Sequence, residues 1–145
     1  MDKEIKIEKA KSFTNEGLNQ ARKKQFNMAL DNFQKALLIF EELDDKFHAA
    51  FQKGNIGSVY RDMGEYDRAL EEYKKALPFF EEVGYKEGIA DQSTNIAYIH
   101  VMKGELREAL EYYRKALSLY EEIKNGQKYE QTRYNIEVLE SEQEK

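Results

Sequence analysis

The chain has 145 residues, and among them there is no cysteine, no tryptophan and only one proline. Without thiols, neither a disulfide framework nor a thiolate metal site is available, and nothing calls for an oxidising compartment. Long apolar runs are missing too: none approaches the roughly 20 residues that span a bilayer. The opening stretch "MDKEIKIEKAKSF" lacks the apolar segment of a secretory signal. Membrane insertion is therefore not expected, and a soluble, cytoplasmic protein is the plain reading. A net charge of −5, with no stretch of Lys and Arg free of balancing Asp and Glu, gives no surface suited to tracking phosphates. Nucleic acid is not an expected partner. Histidine is scarce, with only His48 and His100, and no Gly-rich phosphate loop, nucleophile elbow or HExxH helix is present. No catalytic residue, cofactor or metal ligand is assigned, and the chain does not read as an enzyme.

What the chain does contain is itself, several times over. Residues 46–85 laid over 86–125 without gaps agree at sixteen of forty positions, among them Asn55/Asn95, Gly64/Gly104, Ala69/Ala109, Tyr73/Tyr113 and Ala76/Ala116. Forty residues earlier, Asn15, Ala29, Leu30, Phe33, Ala36 and Leu37 return, and forty later Asn135-Ile136. Within each period the apolar residues recur at helical spacing, as in Ala69, Leu70, Tyr73, Ala76, Leu77 and Phe80. Gly64, Gly84 and Gly104 fall where a helix should end in a left-handed residue, and the Asn125-Gly126 pair is read the same way. The pattern predicts seven helices, over 4–24, 27–43, 46–63, 67–83, 86–103, 107–123 and 127–143. They group as repeats of about 6–45, 46–85 and 86–125, followed by a capping helix over 127–143, all in one domain spanning 1–145.

Small residues predict how the two helices of a repeat cross. Gly17, Gly57 and Ala97 share one phase of the first helix, and Ala29, Ala69 and Ala109 share one phase of the second. Two such faces let backbones approach closely, with Phe33, Tyr73 and Tyr113 filling the space beside the crossing. A lone helical pair cannot bury its apolar face, so the expected fold is an all-α solenoid of stacked pairs. Tyr129, Ile136 and Leu139 can seat the last helix on the third repeat, while its other residues are mostly polar, as a solvating cap requires.

The stretch "NIGSVYRDMGEYDRALEEYKKAL" resembles a tetratricopeptide repeat, with its small, aromatic, Gly and Ala positions at the family's offsets. The resemblance covers almost the whole chain in three copies. The forty-residue period exceeds the family's usual one and is similar to the longer-helix variety of kinesin light chains, spindle-orientation adaptors and bacterial peptide-pheromone receptors. "GIADQSTNIAYIHVMKGELREALEYYRKAL" comes closest to that pattern. The resemblance implies a right-handed solenoid of three helix pairs. Repeat one departs from it, with Glu16 and Gln20 where Ile56 and Tyr60 stand in repeat two.

Several features read as structural. Glu41-Glu42, Glu81-Glu82 and Glu121-Glu122 look like paired acids, but neighbours on a helix point about 100° apart and do not converge. A solvated face near Lys46, Lys86 and Lys124 is expected. His100 stands at a packing phase, which predicts a core role. Pro78 falls inside the second helix of repeat two, where a local kink is expected.

The asparagine column is the functional lead. On a helix, residues 91, 94/95, 98 and 102 form one stripe, apart from the face of Ile96, Ala97 and His100. The family resemblance implies that this stripe lies on the concave inner surface, where partners bind. A side-chain amide can pair with both the C=O and N–H of an extended peptide. Asn15, Asn55 and Asn95 are accordingly the candidate partner contacts, supported by Phe51, Arg61, Asp91, Thr94, Tyr98 and Met102. The carboxylate clamp of chaperone-tail receptors of this family is not expected: its phases carry Thr14, Leu18, Asn55, Asp91 and Asn95, and Asp91 would repel the anion. The leading expectation is an adaptor that binds a protein or peptide partner in its groove. The alternative is a scaffold that self-associates, with a homo-oligomer possible.

Overall fold

The computed structural model describes residues 2–145, and the helical periodicity of the sequence is realised throughout. The helices are α1 (Lys3–Arg22), α2 (Phe26–Glu42), α3 (Lys46–Asp62), α4 (Tyr66–Val83), α5 (Lys86–Met102), α6 (Leu106–Glu122) and α7 (Gly126–Gln143). No strand occurs among the described residues. The fold is all-α, built of helix pairs with a terminal helix. Each expected boundary is met within two residues.

Every turn between these helices closes alike. A residue just past each helix end adopts a left-handed φ: Lys24 at 62°, Asp44 at 55°, Gly64 at 79°, Gly84 at 69°, Gly104 at 77° and Lys124 at 58°. The next N–H then reaches back five residues, as from Glu65 N to Tyr60 O at 2.9 Å and from Asn125 N to Tyr120 O at 3.0 Å. This geometry satisfies the last carbonyls of each helix. It corrects the reading of the Asn125-Gly126 pair. Lys124 takes the left-handed position, while Asn125 caps the start of α7 by accepting from Lys128 N at 3.1 Å. Asn is a strong N-cap, and that preference outweighs its tolerance of the left-handed region.

The helices gather into two compact units, one running to Phe79 and the other comprising Phe80–Lys145. In the first unit, Ala29 and Phe33 of α2 pack with Ile56 and Val59 of α3. Ala10 of α1 meets Ala36, Phe40 and Ala49 in a second cluster. The small-residue phase behaves as expected: a Cβ on Gly17 would lie 2.7 Å from the Phe33 ring, and one on Gly57 would lie 2.9 Å from the Tyr73 ring. The departures in repeat one are absorbed locally. Gln20 is buried, and its Oε1 accepts from Asn32 Nδ2 at 2.7 Å.

In the second unit, Ala97, Ala109, Leu110 and Tyr113 pack with Ile136 and Leu139 of α7, and Tyr129 packs beside Ala90, Ala116 and Tyr120. His100 is buried, stacked on Tyr112 with ring centroids 5.7 Å apart, and its Nδ1 lies 3.1 Å from Glu105 Oε1. At the small-residue phase α7 carries Glu137, which is exposed and paired with Arg133 at 3.4 Å. Glu42, Glu81 and Glu122 pair with Lys6, Lys115 and Lys86 at 3.3, 3.9 and 3.0 Å, so the acidic pairs serve as surface partners. α4 runs unbroken through Pro78, which is exposed.

Candidate functional site

On α3 and α5 the β-branched and small residues, among them Ile56, Gly57, Ile96 and Ala97, turn inward and leave the asparagine column on the more open face. In the first unit, Asn15 of α1 is exposed. On α3, Phe51 is partly exposed and stands edge-on to Phe47 at 5.1 Å. Asn55 is half-buried beside the fully packed Ile56 and Gly57, and no hydrogen bond from the described residues engages its amide. Arg61 is half-buried, with its Nε 3.1 Å from Asp62 Oδ1.

In the second unit the stripe on α5 divides. Asn95 is half-buried with its amide likewise unengaged, and Tyr98 and Met102 are exposed, while Ile96, Ala97 and His100 are buried. Asp91 and Thr94, by contrast, spend their polar atoms within the protein. Thr94 Oγ1 donates to Ala90 O at 3.0 Å. Asp91 receives the Tyr120 hydroxyl and lies 3.1 Å and 3.2 Å from Lys128 Nζ, which also reaches Glu87 Oε1 at 3.3 Å. Burial, followed by the hydrogen bond to Asp91, pushes the Tyr120 hydroxyl well above its ordinary pKa. Burial alone would lower Lys128, but its bonds and charge contacts with Asp91 and Glu87 together raise it.

Sequence reasoning missed this Glu87–Asp91–Lys128 cluster, because position 128 follows no column: His48 and Gly88 stand at the equivalent places. It also missed the 2.8 Å bond between the Ser58 and Tyr73 hydroxyls. A third feature is the cleft between α1, α2 and α3 in the first unit, of about 460 Å³, lined by Lys11, Thr14, Asn15, Phe40, His48 and Gln52 among others. Gln52 is only 3% exposed, and its Oε1 has no hydrogen-bond partner among the described residues. The fourth member of the asparagine column is occupied, since Asn135 Oδ1 accepts from Gln131 Nε2 at 3.1 Å. Among the described residues no group of His, Asp or Glu is placed to hold a metal ion, and no helix is long and apolar enough to cross a membrane.

The architecture has close counterparts. The apo form of RapI superposes with a TM-score of 0.88 at 25% identity, over 96% of this chain and 39% of that one. The Rap conjugation gene regulator of the plasmid pLS20, solved in complex with the Phr* peptide, gives 0.80 at 26% identity over 92% of this chain and 36% of that one. The TPR domain of Arabidopsis FLU shares the fold, at 0.74 and 21% identity, over 80% of this chain and 98% of that domain. The chain thus spans about two fifths of the length of the Rap structures. No curated protein sequence matches it. The tetratricopeptide repeat profile matches residues 8–82 and again 52–122. With the profile, the helix pairs and the turn geometry in agreement, the chain belongs to the tetratricopeptide repeat family.

Proposed function

We propose that this chain is a non-enzymatic interaction module that binds a peptide segment of a partner protein through the polar stripes of its first helices. The observation that carries this reading is the state of Asn55 and Asn95. Both sit one residue before a buried Ile, both are half-exposed, and neither amide makes a hydrogen bond among the described residues. An unengaged amide can donate to a peptide C=O and accept from its N–H, which holds the ligand by its backbone. Phe51 beside Asn55, and Tyr98 and Met102 beside Asn95, supply exposed apolar area for neighbouring side chains. The likeness to a Rap protein solved with a bound peptide supports the same reading.

The test uses a hexapeptide selected by display on the full chain. Replacing Asn55 or Asn95 with Ala lowers its affinity about fivefold to tenfold, the loss expected for one or two hydrogen bonds. Calorimetric titration that finds unchanged affinity in both variants removes the column from the mechanism.

A further inference from the structure

The two units hold the same site in opposite states. Adding two repeat periods of forty to the cleft-lining residues Ile7, Lys11, Phe40, His48 and Gln52 gives Glu87, Asp91, Tyr120, Lys128 and Thr132. In the second unit these positions close on each other. Carboxylates from α5 meet the ammonium of Lys128 on α7, and the Tyr120 hydroxyl completes the contact.

In the first unit the chemistry is inverted. Both carboxylate positions are lost, one to the alkyl chain of Ile7 and the other to the cation of Lys11. The hydroxyl is lost as well, because Phe40 stands where Tyr120 does. Among the described residues Lys11 pairs with Glu8 of its own helix alone, at 3.8 Å, with both side chains largely exposed. Asp45 is turned to its own helix, where its two oxygens accept from the backbone N–H of His48 at 3.0 Å and meet the His48 ring at 2.8 Å. The His48 ring stacks on Phe40 at 5.1 Å. Among the described residues, the cleft is left with a cation that has no cross-helix anion and a buried carbonyl, Gln52 Oε1, that has no donor.

We propose that this cleft is a subsite for an acidic residue of the bound peptide. Its side-chain carboxylate pairs with Lys11, and a peptide N–H supplies the donor that Gln52 lacks. The incoming carboxylate does for the first unit what Asp91 does for the second. This inference rests on the reading of the chain as a peptide-binding module and adds the character of the residue it selects.

The probes are immobilised random hexapeptide pools with one fixed central residue: Asp, Asn, Lys or Ala. A chain of net charge −5 is drawn by its overall field toward basic pools, so an acidic preference has to come from a local site. The full-length chain is retained about tenfold more by the Asp pool than by the Asn pool, the ratio expected for one charge-assisted hydrogen bond. Lys11→Glu brings that ratio to unity, whereas Lys9→Glu, an equal change of charge on the same helix outside the cleft, leaves it intact. Circular dichroism verifies that both variants fold. Equal retention by the Asp and Asn pools, preference for the Lys pool, or a ratio unchanged by Lys11→Glu each overturns the subsite while leaving peptide binding standing. Retention by no pool overturns both.

Discussion

At the residue scale the turns and the crossings carry the sharpest consequences. A left-handed φ suits glycine, whereas an L residue with a Cβ is strained there by about 1 kcal/mol. Lys24, Asp44 and Lys124 hold the conformation that Gly64, Gly84 and Gly104 hold elsewhere in the chain. Replacing Lys124 with Gly therefore raises stability by about 1 kcal/mol, read as a higher melting temperature. The reverse change, Gly64→Ala, lowers it by a similar amount, although nothing lies within 4 Å of the added Cβ, because the strain is in the backbone. Gly57 fails for another reason. A Cβ there meets the Tyr73 ring and also the Ala69 carbonyl at 3.3 Å, so Gly57→Val costs about 1–3 kcal/mol in denaturant melts. The glycines were legible beforehand because glycine takes a left-handed φ, or a close helix crossing, without strain. Lys124 was not, since Asn125 and Gly126 beside it carry the stronger turn signal and a lysine carries none.

At the element scale α7 shows what periodicity can and cannot reveal. Its apolar positions, Tyr129, Ile136 and Leu139, follow from helical spacing, and all three pack as the spacing requires. Ile136→Ala leaves a cavity in that cluster and costs about 2–4 kcal/mol, measured by chemical denaturation. The polar attachment through Lys128 was not legible, because an ion pair between helices depends on two residues from different columns meeting in space. That attachment has a pH signature. The Tyr120 hydroxyl has a folded-state pKa raised above the ordinary tyrosine value of about 10, so the native state holds the proton more tightly than the unfolded state does. Its contribution is complete below pH 10 and is lost as the pH rises from there toward the raised value. Thermal melts of the native chain at pH 9 and at pH 11 show a drop, and Tyr120→Phe shows a smaller one. Tyr73, Tyr85 and Tyr113, raised chiefly by burial, account for the remainder together with Lys75 and Lys128, raised by their carboxylate neighbours.

At the scale of the whole molecule the repeat is both the source of legibility and its limit. A forty-residue period repeated three times identifies the helix pairs and their inward faces, because packing demands the same residue types each time. The binding surface is under no such demand. Asn15, Asn55 and Asn95 were found as a column, but nothing in the column shows that Asp91 is engaged while Asn95 is not, or that a cleft opens beside Asn15. Those facts arise where repeats differ. A chain of nearest-neighbour contacts also predicts how damage spreads. In hydrogen exchange, Ile136→Ala reduces protection among residues 80–145, while α1 and α2 retain theirs. A chain of lookalike helices also faces a problem of fidelity, since any first helix could dock on the wrong second one. Gln20 with Asn32, and His100 with Tyr112, stand at matching places in their repeats yet are chemically unlike couples, one amide to amide and the other ring on ring. Exchanging partners would set a buried amide against an aromatic ring and leave its hydrogen bond unmade. Each couple thus acts as an address, by which a helix tells its own partner from the copies.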